Sequence, residues 1–271
     1  MPLRIVTWNI NSVRLRAGLL DQIVAELDPD VICLQEIKCR EEQFPLKAVR
    51  KLGYDHVAIN GQKGYHGVAT LSRVPIADTA KRTFCNIDEA RHIATDLDTG
   101  SGLLRLHNFY IPAGGDEPDP DANPKFAHKL AFLDELTSLG ASDRDMLHGT
   151  NGAVLVGDLN VAPSEFDVWS HKQLLKIVSH TPEETSRLDR ARDEGGWRDV
   201  VRQHRPDPEK LFSWWSYRAR DWQASNRGRR LDHIWISDGK QNLARDSGIL
   251  THARGWEKPS DHVPIWVDLD V

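Results

Sequence analysis

The spacing of apolar residues along the chain predicts two helices. The first contains the apolar positions Leu19, Leu20, Ile23, Val24 and Leu27. It is expected to end at residues 28–30, DPD, because a proline disfavours helical backbone in the residue before it. The second helix is predicted at about residues 125–139, where Phe126, Leu130, Leu133 and Leu136 form one apolar stripe. Each helix would therefore bury one face in a core.

Short apolar runs and alternating patterns predict strands around these helices. The predicted strands are residues 4–10, 31–34, 67–72, 103–111, 153–159, 230–236 and 264–269. Residues 113–124, AGGDEPDPDANP, are expected to form a long exposed loop, since Gly, Pro and Asp disfavour regular pairing. No linker or repeat divides the pattern, so we predict a single domain over residues 1–271.

Composition is that of a soluble globular protein, with 39% hydrophobic and 28% charged residues in a chain of 271. No apolar stretch approaches the roughly eighteen residues that cross a bilayer, and the amino terminus lacks the apolar core of a signal peptide. The three cysteines are too few and too irregularly spaced for a disulfide framework. We therefore expect a cytoplasmic protein without membrane contact, and a monomer, because no helix shows a coiled-coil repeat.

Net charge argues weakly against a nucleic-acid partner. The chain has 35 basic and 40 acidic residues, a net charge of −5, whereas general DNA binders are usually basic. An enzyme that holds a divalent cation nevertheless needs carboxylates at its centre and only a basic rim for phosphate.

Polar residues at strand ends are the most informative feature. In AVLVGDLN the period of two places Asp158 and Asn160 on the face of Val154 and Val156. Asp232 likewise shares a face with Ile234 and Ile236, and Asn9 with Ile5 and Thr7. A buried carboxylate needs a cation, a hydrogen-bonded partner or a shifted pKa. Several such groups in one fold suggest a shared chemical centre.

Each residue also has an ordinary structural interpretation. Asp158 could be a turn residue, Glu36 a solvated strand end, and Ser260-Asp261-His262 a turn before a strand. Other hydrolytic mechanisms lack their motifs: the sequence contains no G-x-S-x-G, no G-x-x-x-x-G-K-[ST] and no H-E-x-x-H.

The motifs taken together resemble the exonuclease III family of abasic-site endonucleases. They comprise WNIN at residues 8–11, QE at 35–36, GYHGVA at 64–69, YIP at 110–112, GDLN at 157–160, FSWWSYR at 212–218, NRG at 226–228, LD at 231–232 and EKPSDH at 257–262. The matches cover nearly the whole chain. The resemblance implies an α/β fold, a four-layer DNase I-like sandwich of two packed mixed sheets flanked by helices.

The same resemblance implies metal-dependent hydrolysis of a phosphodiester. Hard oxygen ligands suit Mg²⁺, with Mn²⁺ as a possible substitute. The implied metal ligands are Glu36, Asn11 and Asp261, with Asp158 and Asn160 also near the ion. Asp158 would activate the attacking water with the help of Asn160. His262, oriented by Asp232, would contact the scissile phosphate, and Tyr110 and Asn9 would bind phosphate oxygens or assist the leaving oxygen.

Substrate class depends on residues 214–230. This segment places Arg218, Arg220, Arg227, Arg229 and Arg230 among Trp214, Trp215, Tyr217 and Trp222. Guanidinium groups bind phosphates and aromatic rings stack on bases, although the tryptophans could equally be core residues. The resemblance implies that Trp214 and Leu231 wall a pocket for base-free deoxyribose and that Asn226 and Arg227 flank the duplex.

The implied partner is double-stranded DNA carrying abasic sites or 3′ ends. We expect incision 5′ to the lesion, with 3′–5′ exonuclease and 3′-end processing. The alternatives are a related phosphodiesterase acting on RNA or phospholipid headgroups, and a catalytically silent damage-binding protein. Four departures from the family pattern bear on substrate preference: Ala113, Asn11, the acidic loop after Ala113, and residues 167–180.

Overall fold

The computed structural model describes residues 2–142 and 152–271. Its strands, in chain order, are β1 (Leu3–Asn9), β2 (Val31–Gln35), β3 (His56–Asn60), β4 (Val68–Ser72), β5 (Ile76–Ala80), β6 (His92–Asp98), β7 (Leu103–Tyr110), β8 (Ala153–Asp158), β9 (Trp197–Asp199), β10 (Trp214–Trp215), β11 (Gly228–Arg229), β12 (Asp232–Ser237), β13 (Ala244–Ile249) and β14 (Ile265–Leu269). The predicted strands are all present, with ends shifted by one or two residues.

The helices connect these strands. They are α1 (Val13–Arg16), α2 (Leu19–Leu27), α3 (Leu46–Lys51), α4 (Pro124–Ser142), α5 (His171–Leu174), α6 (Pro182–Glu194), α7 (Val200–His204) and α8 (Trp222–Ser225). Short 3₁₀ turns lie at Glu41–Gln43, Glu165–Asp167, Gln241–Leu243 and Thr251–Gly255. Helix α2 ends as predicted at Asp28, whose left-handed backbone donates its N–H to the carbonyl of Val24. None of the helices in the described ranges is long and apolar enough to cross a membrane.

Two six-stranded mixed sheets form the centre of the fold. The first has the order β13-β14-β1-β2-β4-β3 and the second β5-β6-β7-β8-β12-β9, while β10 and β11 form a separate ribbon. In each sheet one neighbouring pair is parallel, β1 with β2 and β7 with β8. The parallel pairs bring strand ends from both sheets to the same edge.

Hydrophobic side chains pack in three layers, one between the two sheets and one on the outer face of each sheet. Ile5 and Cys33 on the first sheet pack against Val156 and Ile234 on the second, which fills the space between the sheets. Helices α2 and α3 cover the outer face of the first sheet, and α4 and α6 cover the outer face of the second. The predicted four-layer α/β sandwich is therefore confirmed.

Candidate active site

Strand ends from both sheets converge at one edge of the sandwich. Asp158 ends β8 and Asp232 begins β12, and the antiparallel register places them directly opposite each other. On the other side of β8, Tyr110 at the end of β7 is the parallel-register partner of Asp158. Asn9 ends β1 beside Gln35 of β2 in the facing sheet. Each of these side chains lies on the strand face that packs in the core between the two sheets. Because side chains alternate between the two faces of a strand, they point towards one another.

Left-handed backbone turns the chain back after three of these strand ends. Asn11, Glu36 and Asn160 have φ angles of 47°, 50° and 55°. Asparagine tolerates this conformation, whereas for glutamate it is uncommon and has to be held in place by its surroundings. The carbonyl of Glu36 accepts the N–H of Ser12 at 2.7 Å, which fixes the turn.

Asp158 is fully enclosed and held by amides. Its Oδ1 accepts the backbone N–H of Asn160 at 3.0 Å, and its Oδ2 accepts Nδ2 of Asn9 at 2.9 Å and Nδ2 of Asn160 at 3.1 Å. Burial raises the pKa of Asp158 to about 7, although the nearby His262 opposes the shift. The carboxyl can therefore exchange a proton near neutral pH.

His262 lies between two carboxylates. Its Nδ1 is 2.8 Å from Oδ2 of Asp232, and its Nε2 is 3.6 Å from Oδ2 of Asp158. Burial acts to lower the pKa of His262, but the attraction of Asp232 and Asp158 outweighs it and raises that pKa to about 10. Ser213 donates its hydroxyl to the same Asp232 oxygen at 2.6 Å. The imidazole is therefore positively charged and fixed in orientation.

Glu36 is a further acidic residue of the site. Its Oε1 accepts Nδ2 of Asn9 and the hydroxyl of Tyr110, both at 2.9 Å. Its Oε2 lies 2.6 Å from Nζ of Lys38. Burial acts to raise the pKa of Glu36, but Lys38 and the hydrogen bonds outweigh burial and lower it. Glu36 is thus an anion at neutral pH.

Asn11 and Asp261 extend this centre. Lys38 Nζ donates to Oδ1 of Asn11 at 2.6 Å, and Nδ2 of Asn11 donates to Oδ1 of Asp261 at 3.0 Å. The other oxygen of Asp261 accepts Nε1 of Trp214 at 2.9 Å. Three of the expected metal ligands, Glu36, Asn11 and Asp261, are therefore joined by direct contacts and by the ammonium of Lys38.

The donor set fits a hard divalent cation. Glu36, Asn11 and Asp261 offer carboxylate and amide oxygens, the ligands that Mg²⁺ and Mn²⁺ prefer. Two of these oxygens, on Glu36 and Asn11, already hold a cation, the ammonium of Lys38. Asp158, Asp232 and His262 also bring potential ligand atoms within 4.8 Å of one another. The first set offers only oxygen donors, as these hard cations prefer, whereas the second set includes an imidazole nitrogen.

Removing the Lys38 ammonium tests this interpretation. Lys38→Met is expected to bind Mn²⁺ about three- to tenfold more tightly, because the cation no longer competes with a positive charge for the same oxygens. Titration calorimetry without DNA measures the affinity directly. Lys47→Met, on the exposed side of α3, should leave the affinity unchanged. Equal or weaker binding by Lys38→Met would contradict the interpretation.

A cleft of about 700 Å³ opens from the acidic cluster. Trp214 and Leu231, predicted to wall a substrate pocket, both line it, as does Arg227. The Arg227 guanidinium lies 4.7 Å from the ring centroid of Trp169. Asn226 is exposed, but its Oδ1 accepts Nε1 of Trp215 at 3.0 Å. The four predicted substrate residues are therefore at or beside the cleft.

The predicted basic surface is smaller than the sequence suggested. Arg230 is 1% exposed, and its guanidinium pairs with Asp167 and Asp199 at 2.7 Å each. Arg230 is thus a structural residue, and the prediction that it belongs to a phosphate-binding surface is wrong. The exposed arginines of the segment are Arg218, Arg220 and Arg227.

The two segments that departed from the family pattern both line the cleft. Ala113 and Asp116 from the predicted loop lie on its wall, so the acidic loop faces the site. Trp169, Leu174 and Val178 from residues 167–180 form another part of that wall. These segments therefore shape the cleft itself.

Sequence reasoning missed Lys38 and Ser213. Lys38 follows Glu36 by two residues, and Ser213 lies inside the FSWWSYR motif. Proximity in sequence to the predicted site residues could therefore have identified both as candidates. Their roles depend on contacts between distant segments.

Comparisons with known proteins agree with this geometry. Exodeoxyribonuclease III of Haemophilus influenzae is 36% identical over 275 residues, which cover 98% of this chain and 99% of that protein. The structure of an AP endonuclease from Archaeoglobus fulgidus has a TM-score of 0.88 at 30% identity and covers 99% of this chain and 100% of that one. A Neisseria 3′ phosphatase bound to a product DNA hairpin has a TM-score of 0.88 at 29% identity, with the same coverage.

Two packed sheets with buried acids, amides and a charged histidine at one edge define an enzyme that hydrolyses phosphate esters. The family model described as Endonuclease/Exonuclease/phosphatase family matches residues 6–262. The chain belongs to this family, and within it resembles the exodeoxyribonuclease III and AP endonuclease members.

Proposed function

We propose that the protein is a Mg²⁺-dependent DNA repair phosphodiesterase that incises 5′ to abasic sites and processes 3′ ends. The observation that carries the proposal is the juxtaposition of Asp158, His262 and Glu36 at the floor of a cleft walled by Trp214 and Leu231. Relatives named exodeoxyribonuclease III and AP endonuclease support the choice of DNA as substrate.

Glu36, Asn11 and Asp261 would hold the metal ion, with Asp158 and Asn160 close to it. When bound, the ion would neutralise charge on the phosphoryl oxygens. The negative charge of Glu36 and its fixed hydrogen bonds to Asn9 and Tyr110 keep this corner of the site preorganised.

Asp158 is the general base in this proposal. Its near-neutral pKa suits removal of a proton from water, and efficient proton transfer requires a pKa near the working pH. Asn160 and Asn9 hold the carboxyl in one orientation through three hydrogen bonds. The base is thus aimed before substrate arrives, which is the main requirement for in-line attack.

His262 and Tyr110 act on the phosphate. The imidazolium, oriented by Asp232, presents Nε2 towards the same space as Asp158 and can donate to a phosphate oxygen. Burial and the carboxylates of Glu36 and Asp158 raise the pKa of Tyr110 well above its usual value. The hydroxyl therefore stays protonated and, with Asn9, can donate to the phosphate or to the departing 3′ oxygen.

Abasic selectivity would follow from the cost of entering the cleft. An abasic nucleotide has no base to unstack or to accommodate, so it can be extruded at lower cost than a normal nucleotide. Frayed 3′ ends enter for the same reason. A silent damage-binding protein would be expected to lack one of the chemical groups, whereas Glu36, Asp158, Asp232 and His262 are all present.

Cleavage of a duplex with one abasic-site analogue tests the proposal. We expect incision 5′ to the lesion with Mg²⁺, none with chelator, and none by Asp158→Ala, which controls for contaminating nucleases. An undamaged duplex and a nick with a 3′ phosphate, run in parallel, separate endonuclease from end-processing activity. Cleavage of RNA or phospholipid headgroups without cleavage of any DNA would overturn the DNA assignment.

A further inference from the structure

Arg16, the last residue of α1, joins three segments of the chain that carry residues of the proposed site. Its Nη1 donates to the carbonyls of Ile10, at 3.3 Å, and of Asn11. Its Nε donates to the carbonyl of Lys258 at 3.1 Å, and its Nη2 donates to the hydroxyl of Tyr217 at 3.0 Å. Tyr217 and Lys258 lie 201 and 242 residues from Arg16 in the sequence. The guanidinium therefore holds together segments that meet only in the folded protein.

The hydroxyl of Tyr217 extends this connection. It accepts Nη2 of Arg16 and donates to the carbonyl of Pro259 at 2.9 Å. Two successive carbonyls are therefore bound, that of Lys258 directly by the guanidinium and that of Pro259 through the phenol. These two carbonyls lie immediately before residues 260–262, which include a proposed metal ligand and the charged histidine.

Two of the carbonyls that Arg16 binds belong to residues with left-handed backbone. The φ angles of Asn11 and Lys258 are 47° and 51°. A lysine seldom adopts this conformation, because its Cβ lies too close to the following carbonyl oxygen. The guanidinium stabilises both turns by binding the carbonyl of each turned residue. The side chains that these turns position meet directly, with Nδ2 of Asn11 at 3.0 Å from Oδ1 of Asp261.

The four hydrogen bonds of this guanidinium within the described part of the chain all go to uncharged oxygens. Three acceptors are backbone carbonyls, and the fourth is a phenol whose pKa is raised, chiefly by burial, so that it stays protonated. The planar fork of a guanidinium directs its donors to several separate acceptors, whereas a lysine ammonium carries its three donors on one atom. These contacts therefore depend on the shape of the group and not only on its charge.

We propose that Arg16 is a positioning residue that assembles the metal-binding end of the site by holding Asn11 and Asp261 in contact. This inference rests on the proposed function, in which Glu36, Asn11 and Asp261 bind the ion. The turn at Glu36 is fixed separately, because its carbonyl accepts the N–H of Ser12 at 2.7 Å. Loss of Arg16 should therefore weaken metal binding without abolishing it.

Titration calorimetry with Mn²⁺ in the absence of DNA tests the proposal. Arg16→Gln removes both the fork and the charge, whereas Arg16→Lys keeps the charge alone. We expect both variants to bind Mn²⁺ about tenfold more weakly than the wild type, because two ligands of the ion are no longer held in place. If only charge mattered, Arg16→Gln would bind Mn²⁺ more tightly and Arg16→Lys would match the wild type. That pattern would overturn the proposal, and a wild type that bound no Mn²⁺ would refute the ligand set on which it rests.

Tyr217→Phe tests the connection through the phenol. It removes the bridge to Pro259 but leaves the contact between Arg16 and Lys258, so we expect Mn²⁺ affinity to fall only about two- to threefold. Combined with Arg16→Gln, it should lose less than the product of the two separate factors, because both substitutions break the same bridge. A combined loss equal to that product would contradict the shared connection.

Arg14→Gln is the matched control for charge in the same helix. Arg14 is exposed and its Nη2 makes one long contact, 3.5 Å from the carbonyl of Lys38. The substitution should leave Mn²⁺ affinity unchanged, and a loss equal to that of Arg16→Gln would contradict the proposal. The fitted stoichiometry reports the fraction of each protein that is competent to bind, so misfolding is separated from weaker binding.

The Mg²⁺ dependence of cleavage provides a second readout. For Arg16→Gln, the Mg²⁺ concentration that gives half-maximal cleavage of an abasic duplex should rise about tenfold, while the rate at saturating Mg²⁺ approaches that of the wild type. A lower saturating rate with an unchanged Mg²⁺ requirement would overturn the proposal. Because the calorimetry needs no DNA, failure of the wild type to cleave any DNA would refute the proposed function without deciding the role of Arg16, which the Mn²⁺ affinities measure.

Discussion

Asp232→Asn is expected to lower kcat on an abasic-site duplex by about 10²- to 10⁴-fold, with a loss that grows as the pH rises from about 6 to about 9. Oδ2 of Asp232 lies 2.8 Å from Nδ1 of His262, and this carboxylate is the strongest of the groups that raise the His262 pKa to about 10. Asparagine removes that charge, so the imidazole should lose its proton within the neutral range.

The sign of the effect follows from the charged form of His262. A histidine is protonated below its pKa, so the wild-type imidazolium persists through the whole interval from pH 6 to pH 9. In Asp232→Asn the imidazolium is retained only towards the acid end of that interval. The pH profile of kcat should therefore gain a falling limb near neutrality.

Measurement of kcat against pH for both proteins checks the prediction. Asp238→Asn is the matched control, because Asp238 follows the same strand and its side chain is 52% exposed in an ion pair with Arg198. It should retain the wild-type profile. If Asp232→Asn lost activity by the same factor at every pH, Asp232 would position His262 without controlling its charge.

Much of the site was predictable because strand alternation is a local property. The period of two in β8 placed Val154, Val156 and Asp158 on one face, and the structure confirms that this face meets the core between the sheets. The same logic located Asn9 and Asp232. Which acids meet one another depends on sheet order, and that information came from the resemblance.

Elements with little burial escaped prediction. Strand β5 is an edge strand whose last four residues are exposed, and α6 buries only Glu184, Leu188 and Ala191. Neither has a periodic apolar pattern strong enough to distinguish it from a loop. Their positions are determined by the sheet and by α4, on which they pack.

Contacts of charged side chains between segments that are distant in the sequence also could not be predicted. The contact of Lys38 with Asn11 spans 27 residues and depends on left-handed backbone at both Asn11 and Lys38. The pairing of Arg230 with Asp167 spans 63 residues. A list of arginines in one segment could not show which of them were already neutralised within the fold.

Lys129→Met is expected to lower the free energy of unfolding by about 3–5 kcal/mol, because breaking a buried ion pair leaves an uncompensated charge. The side chains of Lys129 and Glu184 are both 0% exposed and form an ion pair. The Glu184 carboxylate also accepts the N–H of Ser179 at 2.8 Å and the hydroxyl of Thr181 at 2.8 Å. Without the ammonium these contacts cannot neutralise the carboxylate.

Urea denaturation of single and double variants measures the effect. Lys129→Met combined with Glu184→Gln should be more stable than Lys129→Met alone, because it removes the orphaned charge. Lys81→Met breaks an exposed pair with Glu41 and should cost about 1 kcal/mol or less. A double variant less stable than Lys129→Met would show that the pair matters for packing rather than for charge.

The same pair should couple stability to activity. Lys129 Nζ donates to the carbonyl of Asn160 at 2.7 Å and to that of Ala113 at 3.3 Å, so it holds one wall of the cleft and the backbone beside Asp158, the proposed general base. The double variant restores electrical neutrality but not these two hydrogen bonds. We therefore expect it to recover more of the lost stability than of the lost kcat on the abasic duplex. Parallel recovery of stability and kcat would show that Asn160 is held in position without Lys129.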